Sequence, residues 1–299
     1  MIKKISIIGG GEIGKAISFI ASGANIAFAV WDKDPSKSSV SFPGRALENA
    51  EVIFFCVPTS AVRSVLSELS PNIPSNVPLV FVSKGLEEKT GFTAPEIAAE
   101  FANEERIVFM GGPMLAEEIL AGKGGHAVLG GHKETVDFVS QIFRGDNISV
   151  ETAKDAYSIA VLGVLKNIYA MALGAAEGLG YDENVKSYLF SKAVSEMDAA
   201  AKTLRGKVGA TNTAGIGDLM ATSISPASSN RKTGFSFATG KTPERQSEGM
   251  ISVTALSERL LKNLPNGELP EIFSLVLKMV ENKTVDKSDW DRILSNQPK

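Results

Sequence analysis

Lys166 and Asn167 stand in the middle of residues 156–176, AYSIAVLGVLKNIYAMALGAA, a stretch apolar on nearly every side, as expected of a helix buried by its neighbours. The positions three and four residues from Lys166 are Leu162, Gly163, Tyr169 and Ala170, none of them a countercharge. An ammonium there must lose its charge or find an anion from another part of the chain. One reading is a lysine whose stem lies on apolar surface while its head reaches solvent, although two or more turns separate it from either helix end. The other is a general acid. A lysine whose ordinary pKa of about 10.4 is lowered by burial can protonate a carbonyl oxygen as hydride reaches the carbon, polarising that carbonyl meanwhile.

Further along, GIGDLMAT (215–222) places Asp218 and Thr222 four apart, on one face if the stretch is helical. Asp218 could hold a lysine ammonium or a substrate hydroxyl; it could equally be an N-cap after Gly217. Ser228-Ser229-Asn230-Arg231-Lys232 offers hydroxyls, an amide and cations suited to phosphate, or else is a solvated loop.

A second set lies at the start of the chain. Gly9, Gly11 and Gly14 form G-x-G-x-x-G directly after an apolar run at 4–8 and directly before a helical pattern beginning near Glu12. The first glycine permits a tight turn, the second lets backbone approach a pyrophosphate, and the third allows close helix–strand packing. The helix N-terminus adds amide donors and a positive dipole end. Asp32 ends the next strand pattern, eighteen residues after Gly14, about where an acid would accept bonds from an adenosine ribose. Such a carboxylate repels a 2′-phosphate and favours NAD; the adjacent Lys33 would instead suit NADP. Pro58-Thr59, Ser83-Lys84-Gly85 and Gly111-Gly112-Pro113 follow three more apolar runs. Ligands of open parallel sheets bind outside the carboxyl ends of strands, so four strand ends converge on one crevice. Lys84 faces that crevice or solvates.

The elements that must position these groups fall into two kinds. Strand patterns occur at 4–8, 26–31, 52–57, 78–83, 107–110, 127–129 and 148–151, interleaved with helical patterns at 13–24, 61–69, 94–102, 116–120 and 133–143. Continuous apolar strands predict a parallel sheet covered on both faces. After about residue 155 the spacing is helical through 156–178, 184–204, 253–261 and 271–281. The fold expected is α/β: an N-terminal doubly wound Rossmann domain over 1–152 and an all-α substrate domain over 153–299. Residues 209–240, rich in Gly, Ser, Thr and Asn, read as a functional loop with room for a short helix. The 299 residues carry 31 Lys+Arg against 34 Asp+Glu, without the basic stripe of a nucleic-acid binder, so small molecules are the expected partners. Cys56 alone, with His126 and His132, excludes an intrachain disulfide and leaves too few ligands for a structural zinc. Neither a secretory signal nor a membrane span is expected, and the location predicted is cytoplasmic.

Taken with Ser83-Lys84-Gly85-Leu86-Glu87, Gly112-Pro113, Val164-Leu165-Lys166-Asn167, Glu177-Gly178-Leu179-Gly180, Gly217-Asp218-Leu219, Ser228 to Arg231 and Ser247-Glu248-Gly249, the chain resembles the NAD(P)-dependent sn-glycerol-3-phosphate dehydrogenases. That group belongs to the 6-phosphogluconate-dehydrogenase-like enzymes. The resemblance implies a Rossmann domain with a helical substrate domain, and reversible reduction of dihydroxyacetone phosphate. It places catalytic roles on Lys166, Lys84 and Asp218, and puts Lys84, Gly112, Asn167, Thr222, Ser228, Asn230 and Arg231 beside substrate. Gly9, Gly11, Glu12, Ile13, Gly14, Asp32, Lys33, Pro58, Ala116 and Glu248 would meet the cofactor, and no metal is implied. Two departures stand out. Ser229 replaces an arginine that in the family contacts substrate phosphate and cofactor, and a hydroxyl does not mimic a bidentate guanidinium; Arg231 and Lys232 are the cations at hand to compensate. Met114 replaces a small hydroxyl residue. Two other readings therefore stay open: a related dehydrogenase of another small 2-oxo or 3-hydroxy compound, and a catalytically silent NAD-binding sensor. The apolar second domain is compatible with a homodimer.

Overall fold

The computed structural model describes residues 1–144, 148–204 and 207–295. It divides into two compact units, Met1–Glu87 with Phe92–Ala160, and Glu88–Gly91 with Val161–Lys299. The first unit contains β1 (Lys4–Ile8), α1 (Glu12–Gly23), β2 (Ala27–Trp31), α2 (Pro43–Leu47), β3 (Val52–Phe55), α3 (Thr59–Leu69), β4 (Leu79–Phe81), α4 (Ala94–Ala98), β5 (Ile107–Gly111), α5 (Ala116–Leu120), β6 (Gly125–Gly130), α6 (Lys133–Val139) and β7 (Ile148–Ala153). They build a seven-stranded sheet in the order β2-β1-β3-β4-β5-β6-β7. Ile5 of β1 lies opposite Phe28 of β2 on one side and Val52 of β3 on the other, both pairings parallel. All four residues of β3 are buried, which is why its apolar run is continuous rather than alternating. The chain leaves β1 for β2 on one side and returns to β3 on the other, so β1 and β3 flank the point where strand order reverses.

One pairing departs from the parallel sheet read from the sequence: β5 and β6 are antiparallel. Their connection holds only the five-residue α5, so the chain doubles back instead of crossing over a face. Gly112 makes the reversal. Its φ is +93°, and a Cβ there would lie 2.4 Å from the His126 carbonyl oxygen.

The second unit is helical among its described residues: most of α7 (Ala156–Gly178), then α8 (Glu183–Thr203), α9 (Asp218–Ile224), α10 (Ser229–Ala238), α11 (Glu248–Asn263), α12 (Glu271–Asn282) and α13 (Lys287–Leu294). The stretch read as a loop over 209–240 is thus largely α9 and α10, preceded by a π-type turn at Thr213–Gly217. Its small residues serve packing. A Cβ on Gly234 would sit 1.9 Å from the Met171 carbonyl oxygen and one on Gly174 2.0 Å from that of Arg231, so α10 crosses α7 backbone to backbone. By length and composition α7 could cross a membrane, contrary to expectation, but its apolar window is wholly buried.

α12 follows Pro270 and lacks a side-chain cap of its own; Glu196 of α8 provides one from a distance. Its carboxylate accepts the N–H of Ile272 at 3.0 Å and of Phe273 at 3.2 Å, and the Tyr169 hydroxyl donates to it at 3.2 Å. Burial nevertheless pushes the Glu196 carboxyl above its ordinary value. The folded state therefore retains a proton that the unfolded chain releases near pH 4.3, and this contribution to stability falls as pH rises from there through the raised value. Urea midpoints measured across that interval should show Glu196→Gln gaining on the wild type as pH rises; parallel profiles would contradict the assignment.

Candidate active site

In the first unit the glycine turn has the geometry a dinucleotide requires. Gly9 has φ +108°, and a Cβ on it would lie 2.5 Å from the Cys56 carbonyl oxygen; one on Gly14 would lie 2.0 Å from that of Gly9. Gly11, by contrast, opens onto free space and precedes α1 without any side-chain cap, leaving the first amides of that helix available to an anion. Glu12 and Ile13 form its first turn. Asp32 accepts the Gly10 N–H at 2.7 Å and the Asp34 N–H at 2.9 Å, which fixes its carboxylate beside the turn and leaves lone pairs for a ribose hydroxyl. Lys33 is exposed beside it. At the carboxyl ends of β3 and β4, Thr59 Oγ1 and Ser83 Oγ are buried without a hydrogen-bond partner. Such hydroxyls carry a desolvation cost unless a ligand satisfies them. These residues fit a bound dinucleotide. Pro58 precedes α3, Ala116 opens α5, and Lys84 Nζ donates to the Gly112 carbonyl at 2.8 Å, bringing two predicted substrate residues together.

In the second unit the buried lysine has found its anion. Lys166, 8% exposed, lies with Nζ 3.3 Å from Asp218 Oδ1 and donates to Thr222 Oγ1 at 2.7 Å. Asp218 is therefore not an N-cap; it is the first helical residue of α9, and the 3.6-residue repeat sets Thr222 above it on the same face. The neighbouring amide is fixed from two other helices. Asn230 Nδ2 donates to Asn167 Oδ1, Asn167 Nδ2 donates to Glu248 Oε2, and the Gly249 N–H donates to Asn230 Oδ1, each at 2.9 Å. Glu248, expected near cofactor, is thus tied to Asn167. Ser228 caps α10 by accepting the Arg231 N–H at 3.2 Å. The Arg231 guanidinium donates to Glu177 at 2.6 Å, a partner that sequence reasoning missed because it lies 54 positions away with no local pattern to mark it.

A Rossmann sheet with this glycine turn, followed by a helical unit built around a buried lysine, defines a nicotinamide-dinucleotide-dependent dehydrogenase. Family models described as the N-terminus and C-terminus of NAD-dependent glycerol-3-phosphate dehydrogenase match residues 39–137 and 155–287, and the glycerol-3-phosphate dehydrogenase [NAD(P)+] of Gloeobacter violaceus is 30% identical over 272 residues, covering 85% of this chain and 86% of that protein. The chain belongs to this family. The namesake enzyme of Fusobacterium nucleatum is 29% identical over 94% of this chain and 93% of its own. The crystal structure of glycerol-3-phosphate dehydrogenase from Coxiella burnetii covers 98% of this chain and 99% of its own with a TM-score of 0.86 at 20% identity, and supports the fold. The protein is an oxidoreductase that uses NAD(P).

Proposed function

We propose that the protein catalyses the reversible reduction of dihydroxyacetone phosphate to sn-glycerol 3-phosphate, with Lys166 as general acid. The observation that carries this reading is the Lys166–Thr222–Asp218 cluster: a proton-bearing nitrogen held in the apolar heart of α7 by one carboxylate and one hydroxyl. Bound NAD(P)H supplies the hydride to the carbonyl carbon. Lys166 Nζ gives a proton to the oxygen as it becomes an alkoxide, and takes it back in the reverse direction. Asp218 favours the ammonium and Thr222 orients it, so that the site is organised before charge develops on the substrate oxygen. Asn167, anchored by Asn230 and Glu248, is given a substrate-contacting role by the resemblance. The resemblance gives Lys84 and Gly112 a role toward substrate as well, and within the first unit the two are joined by a 2.8 Å hydrogen bond. The resemblance and the relatives' names support the choice of substrate, and the buried Lys166–Thr222–Asp218 cluster supports Lys166 as the proton donor.

One observation favours a second reading, in which the substrate is another small 2-oxo or 3-hydroxy compound, without phosphate. Position 229 carries a serine, and Arg231, the nearest arginine, is engaged by Glu177. NADH and NADPH oxidation with dihydroxyacetone phosphate, set against dihydroxyacetone and other unphosphorylated ketones, decides between them. The expected result is a preference for the phosphate ester of at least about tenfold in kcat/KM, roughly one charge-assisted contact. Equal or better turnover of the unphosphorylated ketones would transfer the assignment to the second reading, and NADH binding with no turnover of any ketone would leave a sensor.

A further inference from the structure

Between β4 and α4 the chain runs as loop and turn over 82–93, and Lys84 stands near the start of that stretch with Nζ donating to the Gly112 carbonyl at 2.8 Å. A loop holds a side chain less accurately than a helix or strand does. Here α3 supplies the rigid support. Thr59 and Arg63 are four apart on that helix and share a face. Gly85 lies against the first, since a Cβ on it would sit 3.3 Å from Thr59 Oγ1, and Glu87 meets the second. Four helical residues rise about 6 Å, close to what two residues of extended chain span, so the two rows stay in register. The Arg63–Glu87 pair is bidentate, Nε donating to Oε1 at 2.8 Å and Nη2 to Oε2 at 2.9 Å. Glu100, just past α4, takes the other edge of the same guanidinium: Nη2 donates to its Oε1 at 2.9 Å and Nη1 to its Oε2. The Glu87 N–H donates to the Phe92 carbonyl at 2.8 Å, closing the loop behind the clamp.

We propose that Arg63 is a positioning residue for Lys84: through Glu87 it clamps the loop, so that the Lys84 ammonium is presented in one place beside Gly112. The role rests on the assignment of Lys84 to the substrate. Arg63 and Glu100 are 32% and 44% exposed and Glu87 only 12%. Ion pairs at the surface contribute little unless their geometry is fixed. Two bidentate forks fix it here, and the residue they hold lies three beyond Lys84. Glu100 sets the plane of the guanidinium from the outside, so the fork is already aligned where it grips Glu87. A lysine at 63 would keep the charge but not the clamp, because an ammonium has no planar fork to offer two carboxylates at once.

The full-length protein is compared with Arg63→Met, Arg63→Lys, Lys84→Met and Arg63→Met/Lys84→Met, in kinetics with dihydroxyacetone phosphate and in NADH binding by fluorescence titration. Arg63→Met is expected to lower kcat/KM for the ketone by about tenfold to a hundredfold, the scale of loss for a group misplaced by about an ångström. NADH affinity should stay at the wild-type value, because Gly9 to Gly14 and Asp32 lie outside the clamp; a merely structural defect would lower both. Arg63→Lys should behave like Arg63→Met. The double variant should be no slower than Lys84→Met, since the clamp then has no ammonium to place. Should Arg63→Met fold poorly, Arg63→Lys and Glu87→Gln carry the same comparison. Losses that add in the double variant overturn the proposal, and so do wild-type kinetics in Arg63→Met or in Lys84→Met. A second readout needs no turnover: the 13C resonance of Lys84 in reductively 13C-methylated protein, assigned by its absence from Lys84→Met. It is expected to shift or broaden in Arg63→Met, and an unaltered resonance overturns the clamp. If the wild type turned over no ketone at all, the reaction assigned to the protein would fall, and this resonance would decide the clamp alone.

Discussion

Lys166→Ala is expected to lower kcat by about 10³-fold or more, combining the 10²–10⁴ typical of a lost general acid with lost electrostatic stabilisation of the developing alkoxide. NADH binding should remain close to that of the wild type, because the dinucleotide turn, Gly9 to Gly14 with Asp32, is built entirely within the first unit. The split between the two measurements is what makes the prediction specific. A general loss of folding would depress both, whereas loss of the proton donor depresses turnover alone. Single-turnover oxidation of bound NADH, with binding followed by fluorescence titration, separates them. Turnover within about tenfold of wild type would remove Lys166 from the chemistry. A milder substitution gives a second handle: in Thr222→Val the Nζ loses its 2.7 Å hydroxyl contact but keeps Asp218, so activity should fall far less than in Lys166→Ala.

The parts of this site that could be read from the sequence are those whose physical requirement is local. The glycine turn is legible because three backbone constraints, a positive φ at Gly9 and two close approaches, act within six residues. Lys166 is legible for the opposite reason: it violates its surroundings, and an ammonium inside an all-apolar helix demands a partner whatever the fold. The partner itself was only one of two possibilities. Thr222 lies 56 residues away, and whether Asp218 caps α9 or faces α7 depends on where tertiary packing puts the start of that helix. Gly234 shows how local signals mislead. A glycine among serines and threonines reads as a loop, yet here it removes the side chain that would keep α10 off α7. The antiparallel pairing of β5 and β6 was hidden likewise, because both strands are apolar in either direction and only the short α5 connection and Gly112 reveal the reversal. Arg231 sharpens the substrate question. From its position it could be a phosphate ligand, but its neighbour in space is Glu177.

Asp218→Ala should be the most destabilising single change in the second unit's polar interior, by about 3–5 kcal/mol, because it leaves an ammonium buried without its counter-ion. The pair's side chains are only 10% and 5% exposed, so solvent does little to screen the loss. The energy at stake is not the worth of the ion pair but the penalty for breaking it, and that distinction has a measurable consequence. Replacing both partners, Lys166→Met with Asp218→Leu, removes the two desolvation costs together and fills similar volume with apolar groups. The double variant should recover most of the stability lost in the single one, and remain inactive. Thr222 would not be stranded by this exchange, since a helical threonine can turn its hydroxyl to the carbonyl four residues back. Urea midpoints of the wild type, Asp218→Ala and the double variant give the comparison directly. If the double variant were as unstable as Asp218→Ala, the pair would be holding the helices together in its own right. If it regains stability without activity, a buried charge that costs stability has been kept for the proton it carries.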